Sequence, residues 1–243
     1  MKKIYLCLMA SAMLLSCSND SEKTNAPQTY EKINNSMLER KTGNFPENQA
    51  NDYDLAGQLY YDISEAYLPY ENPAFSTAAI IGKVKTLANA NPEFLAIKTA
   101  AYKSPSATQI DDFRNNPVAA MATVIATSSL GTQAKASVAD FIITLMWFKD
   151  QQKDYNTVYN YTIAYEAAVI GNSGLNTRES EILLTTASVA RYAFYFADTH
   201  RRKPRDRDWD ISIGHIVAAL DGAGTGMATA VTESVAFGIA DNR

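Results

Sequence analysis

Two histidines, His200 and His215, are the only imidazoles in this 243-residue chain. Neither stands in a His-Glu-x-x-His helix, and neither has a glutamate three residues before it. The zinc-protease arrangement and the Glu-x-x-His half of a di-iron site are therefore unsupported. Asp111 and Asp112 are adjacent, which on a helix sets their side chains about 100° apart; a solvated face is the expected reading, not an acid/base pair. Gly171-Asn172-Ser173-Gly174 is not a Gly-x-Ser-x-Gly elbow and sits where a helix should end. His215 could meet Asp210 or Asp221, as a hydrogen-bonded histidine of the core or surface. No catalytic residue, metal ligand or cofactor site is assigned on these grounds.

Two features suit binding better than catalysis. Tyrosines gather in Tyr53, Tyr60, Tyr61, Tyr67 and Tyr70, again in Tyr155, Tyr159, Tyr161 and Tyr165, and in Tyr192 and Tyr195. A tyrosine brings a large ring with a polar tip, so such faces fit sugar rings or a partner helix, or else the rim of a core. The run Arg201, Arg202, Lys203, Arg205 with Trp209 places cations beside an indole, a combination that meets phosphate head groups or a partner. Asp206, Asp208 and Asp210 offset much of that charge, and an internally paired linker is the competing reading.

The element that should position everything else is C-terminal. Gly214, Ala218, Gly222, Gly226, Ala230, Ser234 and Gly238 recur every fourth residue, which on a helix stacks small side chains into a shallow groove. A four-residue step overshoots one face by about 40°, so one straight helix cannot keep all seven aligned. Asp221-Gly222-Ala223-Gly224-Thr225-Gly226 offers a break. Two helices, about Ile211–Leu220 and Met227–Ala240, are predicted to pack as a glycine-zipper-like hairpin, with Met227, Val231, Val235 and Ile239 as an apolar row. A buried hairpin is the expected reading. One competitor is a membrane-inserting hairpin, disfavoured by Asp221, His215 and Glu233 and by the lack of an uncharged run near the roughly 20 residues a span needs. The other is a glycine-rich phosphate loop, which lacks both the Rossmann and the P-loop residues.

At the other end, Lys2 and Lys3 precede a short apolar run, Ile4 to Leu15, in the manner of a secretory signal over 1–16. The run closes in Leu14-Leu15-Ser16-Cys17, which resembles the lipobox of bacterial lipoproteins. That resemblance implies cleavage before Cys17 and acylation of its thiol and amine with fatty chains such as palmitate. Three chains would anchor the protein to the cell envelope in practice permanently, since a single one is marginal. Ser18 after the cysteine resembles outer-membrane lipoproteins. Ser18-Asn19-Asp20-Ser21-Glu22 is similar to the acidic export tags of surface lipoproteins in the Bacteroidota. Cys7 would leave with the signal, so the mature body would carry no thiol beyond Cys17 and no disulfide. Its formal charge would move from −4 to about −6 on losing Lys2 and Lys3, which argues against a nucleic-acid partner.

Ser18 to Ala50 is poor in large apolar residues and has no sustained period, so 17–50 reads as the lipidated cysteine and a flexible tether. A coil of that length reaches about 30 Å. From Asn51 to the C-terminus the pattern is helical, giving one all-α domain over 51–243. Asp52 should cap a first helix with Leu55, Leu59, Ile63 and Tyr67 inside and Asp54, Gln58, Asp62 and Glu65 wet. Ser76, Asn91-Pro92 and Ser106 start the next three. Val118 to Ser128 is nearly all apolar and so is expected to be central. Thr132–Gln152, Tyr155–Ile170 and a long helix from Thr177 to about His200 follow. A lipid-anchored envelope protein with a helical binding or scaffolding domain is the expectation, with an envelope protein or glycan as partner; the alternative is a membrane-active protein working through its hairpin.

Overall fold

A computed structural model describes residues 46–70, 72, 74–200 and 210–243. Among them are ten α-helices, a single 3-10 turn at Leu68–Tyr70 and no strand. The helices are α1 (Leu55–Tyr67), α2 (Thr77–Ala90), α3 (Pro92–Ile97), α4 (Ala107–Asn115), α5 (Pro117–Thr127), α6 (Thr132–Asp150), α7 (Tyr155–Ile170), α8 (Thr177–Thr199), α9 (Ile213–Thr225) and α10 (Met227–Asp241). The all-α expectation therefore holds for the described residues. Cys17, nearly all of the expected tether, and Arg201, Arg202, Lys203, Arg205 and Trp209 lie outside them.

Local chemistry sets the starts. Ser76 and Ser106 oxygens accept the amides of Ala79 and Gln109, and Asn91 accepts those of Glu93 and Phe94. Asp154 does the same for Thr157. Asn176 and Glu179 form a reciprocal capping box at the head of α8. Each satisfies amides that a helix start leaves without an internal partner.

The centre of the body is α8, α9 and α10. Every residue from Ile182 to Ala193 and from Ala228 to Ala240 is buried. Around this centre α1 packs on α8 and α10, α2 on α10, α7 on α8 and α5 on α9. A helix buried on all sides must be apolar or small all round, which is what the small-residue ladder supplies. Gly222 lies against the backbone of α10: a Cβ there would stand 2.5 Å from the Cα of Ala230. At Gly214 a Cβ would run into the Phe237 ring. Ala218, Ala230, Ser234 and Gly238 are buried too. Gly226 differs, because it joins the two helices and a Cβ there would meet nothing within 4 Å.

Four expectations need correction. The break between the last helices is one residue, Gly226, rather than the whole glycine cluster; α9 continues to Thr225 because Arg178 donates to the carbonyls of Ala223 and Gly224 at its end. α5 is peripheral: only Val124 is buried, and Val118 is 64% exposed. Asp54, expected on the wet side, takes the N-cap position of α1 in place of Asp52 and turns inward. The described body also takes in residues before Asn51, since Pro46 is buried and Asn48 bonds to α7.

Candidate functional site: a buried charge network and a split carboxylate pair

Arg191 stands in the middle of α8, fully buried. Its Nη2 donates to Glu166 Oε1 on α7 at 3.0 Å and to Asp54 Oδ1 on α1. Glu166, also fully buried, accepts from Asn48 Nδ2 at 2.6 Å and Asn51 Nδ2 at 2.9 Å. Asn51 also donates to the Leu184 carbonyl of α8. Asp54 is held from above by the Asn48 amide at 3.1 Å and by the Tyr192 hydroxyl at 3.3 Å. Ser188 completes the set by donating to the Asp54 carbonyl and accepting the Gly57 amide. Burial pushes the Glu166 carboxyl above its usual range, against the pull of Arg191 and the two asparagine amides.

One cation thus faces two carboxylates at the junction of the N-terminal segment, α1, α7 and α8. Glu166 is saturated with donors and out of reach of solvent, so it has no path to a substrate. What the network does chemically is lock three helices and the entry of the chain into one register. Glu166 and Arg191 were not singled out from the sequence. The available signal was that Glu166 is the one charge among the sixteen residues of α7 and that Arg191 falls within the apolar run of α8.

The second cluster joins α4, α9 and α10. Gln109 Nε2 donates to Asp221 Oδ2 and, at 3.4 Å, to Glu233 Oε1. Glu233 is 4% exposed, and among the described residues its Oε2 has no hydrogen-bond partner. Burial first and the nearby Asp221 charge second hold the Glu233 carboxyl well above its ordinary range; burial also raises Asp221. For a carboxyl buried in this way the protonated form is the less costly one, since the anion would be expensive in the core.

Linkage then fixes a sign. Glu233 has a raised folded pKa, so its contribution is full below about pH 4.5 and is lost as pH rises through the folded value. Glu233→Gln removes that loss. Thermal melts should show the Gln variant gaining on the parent between pH 4 and pH 8, with the gap widening as pH rises. A gap that stays constant or narrows would contradict a buried neutral acid.

Asp241 and Asp210 act on His215 through their charge. Its Nδ1 accepts the Ser212 amide at 3.1 Å, and its ring stands edge-on to Phe237 at 5.1 Å. Burial lowers its pKa to about 4, so the neutral ring is the folded form. Asp111 accepts from the Thr77 hydroxyl at 2.6 Å and from Arg114 instead of pairing with Asp112. Of the tyrosines, Tyr60, Tyr61, Tyr67, Tyr155 and Tyr192 are core residues, while Tyr70 is half exposed.

Among the described residues, a cleft of about 660 Å³ has Lys149, Gln152, Lys153, Tyr155, Phe194 and Asp210 among its walls, and another, of about 400 Å³, lies beside Gly226 with Tyr102, Arg178 and Glu181. Lys149–Asp210 at 3.1 Å and Arg178–Glu181 at 2.7 Å close ion pairs at them. Among the described residues there is no group of three or more metal-ligating side chains. No described helix is long and apolar enough to cross a membrane. No protein-family model matches the chain, and neither a curated protein nor a solved structure is similar enough to count as a relative.

Proposed function

We propose that this chain is a lipid-anchored cell-envelope protein, fixed to the membrane through Cys17, whose helical domain binds or scaffolds a partner. One observation carries the binding half: α5 has eleven residues without a charge, and only Val124 is buried. A helix so apolar and so exposed is what an interaction surface offers. The anchoring half rests on the N-terminal sequence, which sets a basic start, an apolar run and Cys17 in order. Groups that could do chemistry, Glu166, Arg191 and His215, are spent on packing.

Insertion of the C-terminal hairpin is the weaker alternative. Ala218, Val231 and Ala236 are already fully buried against neighbouring helices, so lipid entry would require the body to open.

The test is expression in a lipoprotein-processing bacterium with a photocrosslinking residue at Val118. Intact mass should show a chain starting at Cys17 with acyl chains, and Cys17→Ser should stay unacylated. Crosslinking at Val118 should give one discrete adduct absent from a chain carrying the residue at exposed Gln58. A free thiol at Cys17 would overturn the anchor, and no adduct at Val118 would overturn the α5 surface.

A further inference from the structure

An aromatic strip runs across α6 and α7 without interruption. Trp147 meets Phe148 at 5.5 Å between ring centroids, and Phe148 meets Tyr161 edge-on at 5.2 Å. Tyr161 stacks on Phe141 at 5.9 Å, and Phe141 on Tyr165 at 4.1 Å. Phe141 is buried beneath, while Trp147 is 52% exposed and Phe148, Tyr161 and Tyr165 are half-buried. Ile143, one turn before Trp147, is 54% exposed.

The surroundings carry little charge. From Phe141 to Phe148 α6 has none, exposed Asp140 and Asp150 stand beyond either end of that run, and the one charge of α7 is the buried Glu166. Ala164 and Ala168, which neighbour Tyr161 and Tyr165 on α7, are exposed and add no polar group. Lys153 lies 5.9 Å from the Trp147 ring, at the edge of the strip. Half-exposed tryptophan and tyrosine over an apolar face, with lysine at the margin, are the residue types that settle at the boundary between acyl chains and head groups.

Where the N-terminal chain meets the body supplies the choice of occupant. Asn48 is bonded to Glu166 of α7, and the Tyr159 hydroxyl of α7 donates to the Glu47 carbonyl at 3.4 Å. The 45 residues that precede the described body therefore lead into it at α7. If the residues between Cys17 and Pro46 behave as a coil, their mean span is about 30 Å, which brings α7 near the lipid when Cys17 is in the membrane. Docking then becomes an intramolecular step at high effective concentration, for which a few aromatic side chains suffice.

We propose that the α6–α7 face bearing Ile143, Trp147, Tyr161 and Tyr165 rests on the lipid surface to which the chain is anchored. This rests on the lipid-anchor reading above, and the test separates the two. The chain from Cys17 onward, with Trp209→Phe so that Trp147 is the sole indole, is coupled at Cys17 to a maleimide phospholipid. It is then placed in phosphatidylcholine vesicles containing a dibrominated phosphatidylcholine, whose bromines quench nearby indoles. Trp147 should lose most of its emission and shift to the blue, and Ile143→Asp, an exposed position, should restore both while leaving the melting temperature unchanged. Unquenched Trp147 on vesicle-bound protein would overturn the docking. A concentration-dependent dimer in sedimentation, with Trp147 blue-shifted but unquenched, would assign the face to a second copy and overturn it equally. Because the coupling is chemical, quenching does not depend on cellular acylation; quenching together with an unacylated Cys17 in cells would sink the anchor and leave the face a lipid-binding one.

Discussion

Arg191→Met should melt on the order of 10 °C below the parent chain, the largest loss expected from any single change in this protein. The side chain is fully buried, and among the described residues its charge is the one paired with Glu166 and Asp54. Removing it strands two carboxylates, one of them also fully buried, and breaking a buried pair from one side costs about 3–5 kcal/mol. A domain of this size loses about 2–4 °C per kcal/mol. Methionine fills similar space, so the loss reports charge and hydrogen bonding more than a cavity. The interpretation can be checked internally: combining Arg191→Met with Asp54→Asn and Glu166→Gln should melt higher than Arg191→Met alone, because nothing charged is then left unpaired. If the triple variant melts lower still, the cost lies in shape and the network is not held by charge.

How far the sequence could foretell this depended on whether a signal was local. Caps are local, and Ser76, Asn91 and Ser106 open helices where side-chain oxygen and periodicity say they should, although the first helix is headed by Asp54 and not by Asp52. The small-residue ladder is local too, since i and i+4 share a face on any helix. The partners of Arg191 are not: Asp54 lies 137 positions away, and no periodicity links them. α5 misled for a different reason. A run of apolar residues reports how little a segment needs water, not how much protein stands ready to cover it, and α5 has α9 on one side with only lighter contacts to α4 and α6. Gly57 was passed over because it belongs to no ladder, yet a Cβ there would stand 2.5 Å from Ser188 Oγ, and that close approach is what brings α1 onto α8.

The second large effect lies in the hairpin. Gly222→Ala should destabilise by at least about 1–3 kcal/mol, because the new methyl group would meet the backbone of Ala230 at 2.5 Å, and backbone cannot rotate aside as a side chain can. Gly224 is two residues away in the same helix, with nothing within 4 Å of its Cβ position. Gly224→Ala removes a poor helix former at no steric cost and should leave stability unchanged or raise it by up to about 1 kcal/mol. The two substitutions add the same atom to the same helix, so composition and propensity cancel between them. What remains is whether α10 presses against α9 at that residue. The melting temperatures of Gly222→Ala and Gly224→Ala, measured side by side, are therefore the most direct measurement. A hairpin packed as the core predicts that Gly222→Ala melts several degrees below the parent and Gly224→Ala no lower than it. Equal melting temperatures, or the reverse order, would contradict a body built around that contact.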